Sequence, residues 1–157
     1  MIKRSFMYGL ALAFTCITLL TACSLIEKPS NKHEHLVGTE TWETTASTDT
    51  LPHFLTEHTD LTNHLYSEVP HHAHIMGELN CYCGCMLGTE FDEPHDSLLR
   101  CYWAEKPDSE GEVVWTDHST TCGVCKKEME MVIAMQKEGK STDDIRQAID
   151  DAYKGNQ

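Results

Sequence analysis

The chain has 157 residues, with 12 lysines and arginines against 25 aspartates and glutamates, and a formal net charge of −13 with histidine neutral. This length allows one small domain beside any targeting segments. The acidic balance argues against nucleic acid and anionic lipid surfaces as partners. The composition is notable for eight cysteines and ten histidines, which indicate a function that uses thiol and imidazole groups.

The first 22 residues are typical of a signal peptide, because two basic residues precede an apolar stretch over 6–20. That stretch is shorter than the roughly 20 residues that cross a bilayer. Residues 20–23 resemble the bacterial lipobox, in which the cysteine sulfur receives a diacylglyceryl group. We therefore predict lipidation at Cys23, with acyl chains such as palmitate holding the protein on the extracytoplasmic face of the cell membrane.

The region after the lipobox is polar and then becomes helical. Residues 23–50 show no apolar period of 2 or 3.6, so a flexible tether is predicted there. Apolar residues at helical spacing predict a helix from Leu51 to Val69, which Pro70 ends, and a second short helix after it. Residues 81–115 are predicted to be mostly loop, with Glu112–Trp115 as the strand candidate.

The last forty or so residues carry the clearest helical signals. Thr120 or Thr121 would cap a helix that Gly139 ends. Ser141 followed by Asp144 is a near match to a capping box, and the apolar residues after it recur at helical spacing. A final helix is therefore predicted.

These patterns predict three parts: a signal peptide over 1–22, a tether over 23–50 and a cysteine-rich domain over 51–157. The predicted fold class is mainly α. The domain would be small and helical, with an irregular cysteine-rich loop at its centre.

The candidate functional residues are cysteines in two clusters. Thiols at alternate positions in Cys81–Cys85 converge on one centre only in a strand or turn. Cys122 and Cys125 lie near the start of a predicted helix, where the helix dipole favours thiolates. The cysteines and two histidines offer about twice the ligands that one tetrahedral ion needs. We predict one or two copper or zinc ions, Cu(I) first and Zn(II) second, bound by Cys81, Cys83, Cys85, Cys101, Cys122, Cys125, His95 and His118.

Two alternatives use the same cysteines differently. In a thiol–disulfide oxidoreductase, Cys122 would attack and Cys125 would resolve. In a disulfide-stapled surface module, the six cysteines would form three bridges. No motif specific to hydrolysis is present, so no other catalytic residues are predicted and a binding protein is preferred to an enzyme. His71, His72 and His74 suggest an auxiliary Cu(II) or Zn(II) site.

Four segments together resemble the PCYCGC-motif lipoproteins of bacilli and their relatives over residues 66–155: Cys81–Cys85, Cys101–Trp103, His118–Cys125 and Gly139–Tyr153. One difference is that Asn80 stands where the family has proline. The resemblance implies export, lipidation and a shared cysteine site, and it implies no particular activity.

Overall fold

The computed structural model of the chain describes three stretches, residues 34–37, 40–87 and 94–155. The chain divides into two units, 1–30 and 31–157, and the described residues all belong to the second. The predicted signal peptide, lipobox and lipidated Cys23 lie outside the described residues and stay predictions. No helix in the three described stretches is both long and apolar enough to cross a membrane.

The described residues form a four-stranded antiparallel sheet together with four α-helices. The strands are β1 (Glu34–Val37), β2 (Glu40–Thr45), β3 (Trp103–Glu105) and β4 (Val113–Thr116), in the order β1-β2-β4-β3. The helices are α1 (Asp60–Met76), α2 (His118–Thr121), α3 (Gly123–Lys137) and α4 (Thr142–Tyr153). The fold is therefore mixed α/β, and the expectation of a mainly α domain is wrong because it omitted most of the sheet.

Strand β2 lies where the sequence indicated a flexible tether. It pairs with β4, with Trp42 opposite Thr116. Its acidic residues, which suggested disorder, are used inside the fold: the buried carboxylate of Glu43 accepts the backbone N–H groups of His53 at 2.7 Å and Phe54 at 3.2 Å. A polar strand is stable in this position because its carboxylates have internal partners.

Helix α1 continues through Pro70, although the sequence predicts that a helix ends there. Buried residues lie on both sides of the proline, Leu65 and Val69 before it and Met76 after it. A proline inside a helix costs about 3 kcal/mol. Burial of an apolar face along the whole of α1 offsets that cost.

The C-terminal elements follow their local signals closely. Strand β4 coincides with the predicted strand to within one residue. Gly139 has φ +77°, the left-handed conformation that ends α3. Ser141 and Asp144 form a complete capping box at the start of α4. The predicted caps of α3, Thr120 and Thr121, are wrong, however, because both lie in α2 and the extended Cys122 is the N-cap of α3.

Three buried aromatic residues join the helices to the sheet beneath the cysteines. The rings of Tyr66 and Tyr102 have centroids 4.9 Å apart, and Trp115 lies 6.1 Å from Tyr66. The Tyr66 hydroxyl donates to the Thr116 carbonyl at 2.8 Å, and the Tyr102 hydroxyl donates to the Cys125 carbonyl at 3.2 Å. This aromatic core positions the segments that carry the cysteines.

Candidate metal centre

The Cys81–Cys85 segment follows α1 and folds back in a turn. Gly84 has φ +93°, a conformation that favours glycine, and a 3₁₀ turn begins at Cys85. This brings the Sγ atom of Cys83 to 2.7 Å from that of Cys85. Cys81 is buried, whereas Cys83 and Cys85 are half-buried, so the segment runs from the core towards the surface.

Cys101 and His95 approach from the segment before β3. Cys101 ends a second 3₁₀ turn, and its buried Sγ lies 3.5 Å from that of Cys85. The His95 amide donates to the Cys85 carbonyl at 3.0 Å, which holds the histidine beside the turn. Its Nδ1 atom lies 3.2 Å from the Cys101 sulfur.

The starts of α2 and α3 bring the second cysteine cluster onto the first. Cys125 lies in the first turn of α3, and its buried Sγ is 3.4 Å from that of Cys81. His118 is the first residue of α2, and its Nε2 lies 3.7 Å from the Cys83 sulfur. Residues more than thirty positions apart in sequence therefore share one site.

Within the described residues, the thiols form three overlapping groups of four ligand atoms, two of which include His118. In each group the four ligand atoms lie within 4.8 Å of one another. Sulfurs on one tetrahedral ion with bonds of about 2.3 Å would lie about 3.8 Å apart. The 3.4 and 3.5 Å separations are close to this value, whereas the 2.7 Å between the sulfurs of Cys83 and Cys85 is shorter. We call them the four-sulfur group (Cys81, Cys83, Cys101, Cys125), the Cys85 group (Cys83, Cys85, Cys101, His118) and the Cys122 group (Cys83, His118, Cys122, Cys125).

Seven of the eight predicted ligands belong to these groups, and Cys83 belongs to all three. A thiolate common to several groups could bridge two ions. The eighth predicted ligand, His95, contacts Cys101 and belongs to a separate candidate group with Glu40 and His118. That these residues bind a metal stays a prediction.

Glu40, on β2, orients both histidines and was missed in the sequence. Its Oε1 atom lies 3.0 Å from His95 Nε2 and 3.0 Å from His118 Nδ1. Its Oε2 atom accepts from the Trp42 indole at 3.0 Å and from the Thr116 hydroxyl at 2.9 Å. Because these donors occupy both oxygens, we interpret Glu40 as an orienting residue, although it lies close enough to the histidines to be a ligand.

The histidine nitrogens that do not face Glu40 point to sulfur. Since a carboxylate only accepts hydrogen bonds, the nitrogens that face it must carry hydrogens. This leaves His118 Nε2 directed at Cys83 and His95 Nδ1 directed at Cys101. Carboxylate–histidine arrangements of this kind fix the tautomer of metal-binding histidines.

The charges on this network reinforce one another. Burial alone would raise the pKa of Glu40, but hydrogen bonds, chiefly from His118 and His95, lower that pKa well below its ordinary value. Burial alone would lower the pKa of His118, but hydrogen bonds to two cysteines and to Glu40 raise it to about 11. An ion bound at His118 Nε2 must therefore displace a proton, so binding would depend on pH.

The thiols differ in their readiness to ionise. Hydrogen bonds from neighbouring thiols, Cys101 first, lower the pKa of Cys83. Hydrogen bonds with other thiols, Cys125 first, raise the pKa of Cys101 well above its ordinary value. Cys83 is therefore the thiol of the cluster that these hydrogen bonds favour for ionisation. A bound cation would lower the cost of further thiolates, because coordination deprotonates a thiol.

A cavity of about 370 Å³ reaches one side of the cluster. Three of its lining residues are candidate ligands: Cys83, His118 and Cys122. The other lining residues carry carboxylates or hydroxyls: Glu40, Asp117, Thr120 and Thr121. This side of the cluster therefore opens to solvent through a polar cavity.

Glu128, on α3, is a second site residue that was missed. Its Oε1 atom accepts the Tyr82 amide at 2.8 Å, while the Tyr82 hydroxyl donates to Asp150 at 2.6 Å. Burial raises the pKa of Glu128 to about 7. A signal was available, because Glu128 falls three residues after Cys125 on the buried face of α3.

The histidines before the motif do not form the auxiliary site that their density suggested. None belongs to a candidate metal group within the described residues. His72 is buried, with its two ring nitrogens next to Gln136 and Glu68, while His71 and His74 are exposed. A helix directs His72 away from His71 and His74, because side chains one or two positions apart do not face each other.

Comparisons with known proteins agree with the motif. No curated protein and no solved structure is significantly similar to this chain. The sequence profile of the family described as "Protein of unknown function with PCYCGC motif" matches residues 12–156, nearly the whole chain. The resemblance predicted from the cysteine motif is confirmed, and the protein belongs to this PCYCGC-motif family.

Proposed function

We propose that this protein is an extracytoplasmic, lipid-anchored metal-binding protein that holds one or two soft metal ions through its clustered cysteines. The observation that carries the proposal is the four-sulfur group, in which sulfurs from three chain segments lie within 4.8 Å of one another. Three of its four cysteines are buried. A soft cation that binds these cysteines as thiolates would account for so many thiols lying close together.

The ligand set favours Cu(I), followed by Zn(II). Thiolates are soft ligands that select both ions, and four sulfurs suit tetrahedral zinc. The Cys85 group and the Cys122 group replace one sulfur with a nitrogen of His118. Clustered thiolates outside the cell suit a soft ion, which places Cu(I) first.

The proposed location depends on the sequence alone. The basic and apolar stretch over 1–22 and the lipobox at 20–23 support export and a lipid on Cys23. Two or three acyl chains would give a stable anchor, since each buried CH₂ contributes about 0.8 kcal/mol.

Redox catalysis by the Cys122 and Cys125 pair is less well supported. Cys125 lowers the pKa of Cys122, but Cys83 and burial raise it more, so the net shift is upward. An attacking cysteine needs a lowered pKa. Cys125 is also buried, 3.4 Å from Cys81.

A purely structural set of disulfides is also less well supported. All six cysteines among the described residues are free thiols. Their sulfurs form one continuous cluster, whereas bridges that stabilise by closing loops gain from wide separation.

Metal analysis of the full chain, purified in detergent under anaerobic conditions without chelators, tests the proposal. We expect about one to two equivalents of copper or zinc. Cys81→Ser and Cys125→Ser should reduce that content, because each removes a ligand of the four-sulfur group.

His74→Ala is the matched control, since His74 is exposed and outside every candidate group. It should retain the metal content of the unmodified chain. Six blocked, metal-free cysteines in the described domain would contradict metal binding and favour the disulfide-stapled module. If Cys122→Ser abolished a disulfide-exchange activity while leaving bound metal unchanged, the oxidoreductase would be correct.

A further inference from the structure

The cysteine cluster is closed at one end and open at the other. Cys81, Cys101 and Cys125 have no exposed surface. Cys83, Cys85 and Cys122 are half-buried, and the His118 side chain is 23% exposed. The four-sulfur group, with three fully buried sulfurs, therefore forms the closed end. The Cys122 group shares Cys83 and Cys125 with it and forms the open end through Cys122 and His118.

The closed end is surrounded by hydrogen-bonded structure. The Tyr102 hydroxyl holds the carbonyl of Cys125, and the Ser119 hydroxyl donates to the carbonyl of Cys101 at 2.6 Å. The Glu128 carboxylate holds the amide that follows Cys81. Removing an ion from this end would require these contacts to open.

The open end forms part of the wall of the 370 Å³ cavity. Three of the four members of the Cys122 group line that cavity, and the fourth, Cys125, is shared with the four-sulfur group. An ion at the open end can thus meet an incoming ligand while Cys83 and Cys125 still connect it to the closed end.

Resting on the proposed function, we propose that the two ends have different roles. The closed end retains its ion, whereas the open end releases its ion to small thiols that enter the cavity. Sulfur is the ligand chemistry that competes with a cysteine for a soft ion. The polar lining, which includes the hydroxyls of Thr120 and Thr121, suits a small, hydrated ligand.

The exchange is a ligand substitution without electron transfer. The incoming thiol gives its proton to the departing Cys122 thiolate, the bond from the ion to Cys122 breaks, and a bond to the incoming sulfur forms. Further substitutions at His118, Cys83 and Cys125 release the ion as a thiolate complex; the His118 imidazole takes one thiol proton, and the protons of the thiols that replace Cys83 and Cys125 pass to water. The bridging cysteines keep their bonds to the retained ion throughout.

Release kinetics of the zinc-loaded full chain test this inference, with 2-mercaptoethanol as the thiol and a chromogenic chelator as the reporter. We expect about two equivalents, with one released at least about tenfold faster than the other. The rate of the fast phase should rise with thiol concentration. Cys122→Ser should bind about one equivalent and lack the fast phase.

A second variant leaves every ligand in place. Thr121→Phe adds a ring at an exposed residue of the cavity wall, so it should slow the fast phase about tenfold without changing the stoichiometry. The matched control is Thr56→Phe, at an exposed threonine outside the cavity. It should leave both phases unchanged.

The outcomes separate the two proposals. Absence of any bound zinc or copper would overturn the proposed function itself. Binding of a single equivalent, release of two equivalents in one phase, or an unchanged fast phase in both Cys122→Ser and Thr121→Phe would overturn the division into two ends while leaving metal binding in place.

Discussion

The helices and the cysteine cluster are stabilised in different ways. Helices α1, α3 and α4 bury apolar residues such as Leu65, Met129 and Ile145. The cluster instead gathers polar groups, and the carboxylates of Glu40 and Glu128 accept hydrogen bonds from its histidines and from the Tyr82 amide. Apolar burial needs no ligand, whereas several adjacent thiolates need a cation. The helical scaffold and the cysteine cluster should therefore respond separately to metal removal and to substitutions.

Metal removal should produce the largest difference between the two regions. An ion present at a thousandfold excess over its Kd stabilises the folded state by about 4 kcal/mol. Hydrogen exchange, measured with and without chelator, should show amides at 81–85 losing far more protection than those in the middle of α3. Equal loss in both regions would show that the scaffold depends on the metal.

A change in the helical scaffold should have the opposite pattern. Ile145→Ala removes a fully buried side chain from α4, so it should lower the free energy of unfolding by about 2–5 kcal/mol. Metal stoichiometry should stay unchanged. Leu61→Ala, at a residue 50% exposed on α1, is the control and should cost less than about 0.5 kcal/mol. A change in metal stoichiometry in Ile145→Ala would contradict the separation.

The pH dependence of stability should reveal Glu128. Burial raises its pKa from 4.5 to about 7, so the folded chain keeps a proton that the unfolded chain has released over this interval. The free energy of unfolding should therefore fall as pH rises from about 4.5 to 7, by up to about 3 kcal/mol. Urea unfolding of Glu128→Gln should lack this fall. A fall of the same size in the variant would assign the effect to another group.

Substitution of Glu40 should have the smallest effect on the fold and a specific effect on the site. Glu40→Gln replaces an acceptor of two histidine hydrogen bonds, so metal affinity should fall about 10- to 100-fold. The pH at which metal binding is half-maximal should also fall, because Glu40 helps to raise the pKa of His118. Competition with a chelator of known affinity, across pH, measures both.

Glu43→Gln is the matched control, since Glu43 is a buried carboxylate on the same strand that accepts the backbone amides of His53 and Phe54. It should leave affinity and its pH dependence unchanged. An equal loss of affinity in the two variants would mean that Glu40 acts only through the stability of β2.

Features with a local cause could be predicted. The capping box of Ser141 and Asp144, the end of α3 at Gly139 and the turn at Gly84 all follow from residues within a few positions. The same holds for the recognition of the family, because the motif at Cys81–Cys85 is contiguous. Pro70 is the exception, since packing along all of α1 outweighed its local preference.

Features that join distant residues could not be predicted. Nothing near Glu40 indicates that it meets His118, 78 positions away, and its polar neighbours suggested a tether. The pairing of the sheet could not be predicted for the same reason, because β2 pairs with β4, a strand about seventy residues later.

The sequence by itself determined the cysteine and histidine inventory, the family and the last helix, because each depends on residue type and short-range spacing. Only the tertiary structure decided that Glu40 orients the histidines, that Glu128 lies beneath the motif and that the cluster has a closed and an open end. Burial and hydrogen bonding between distant segments depend on how the whole chain packs, and no local pattern encodes them.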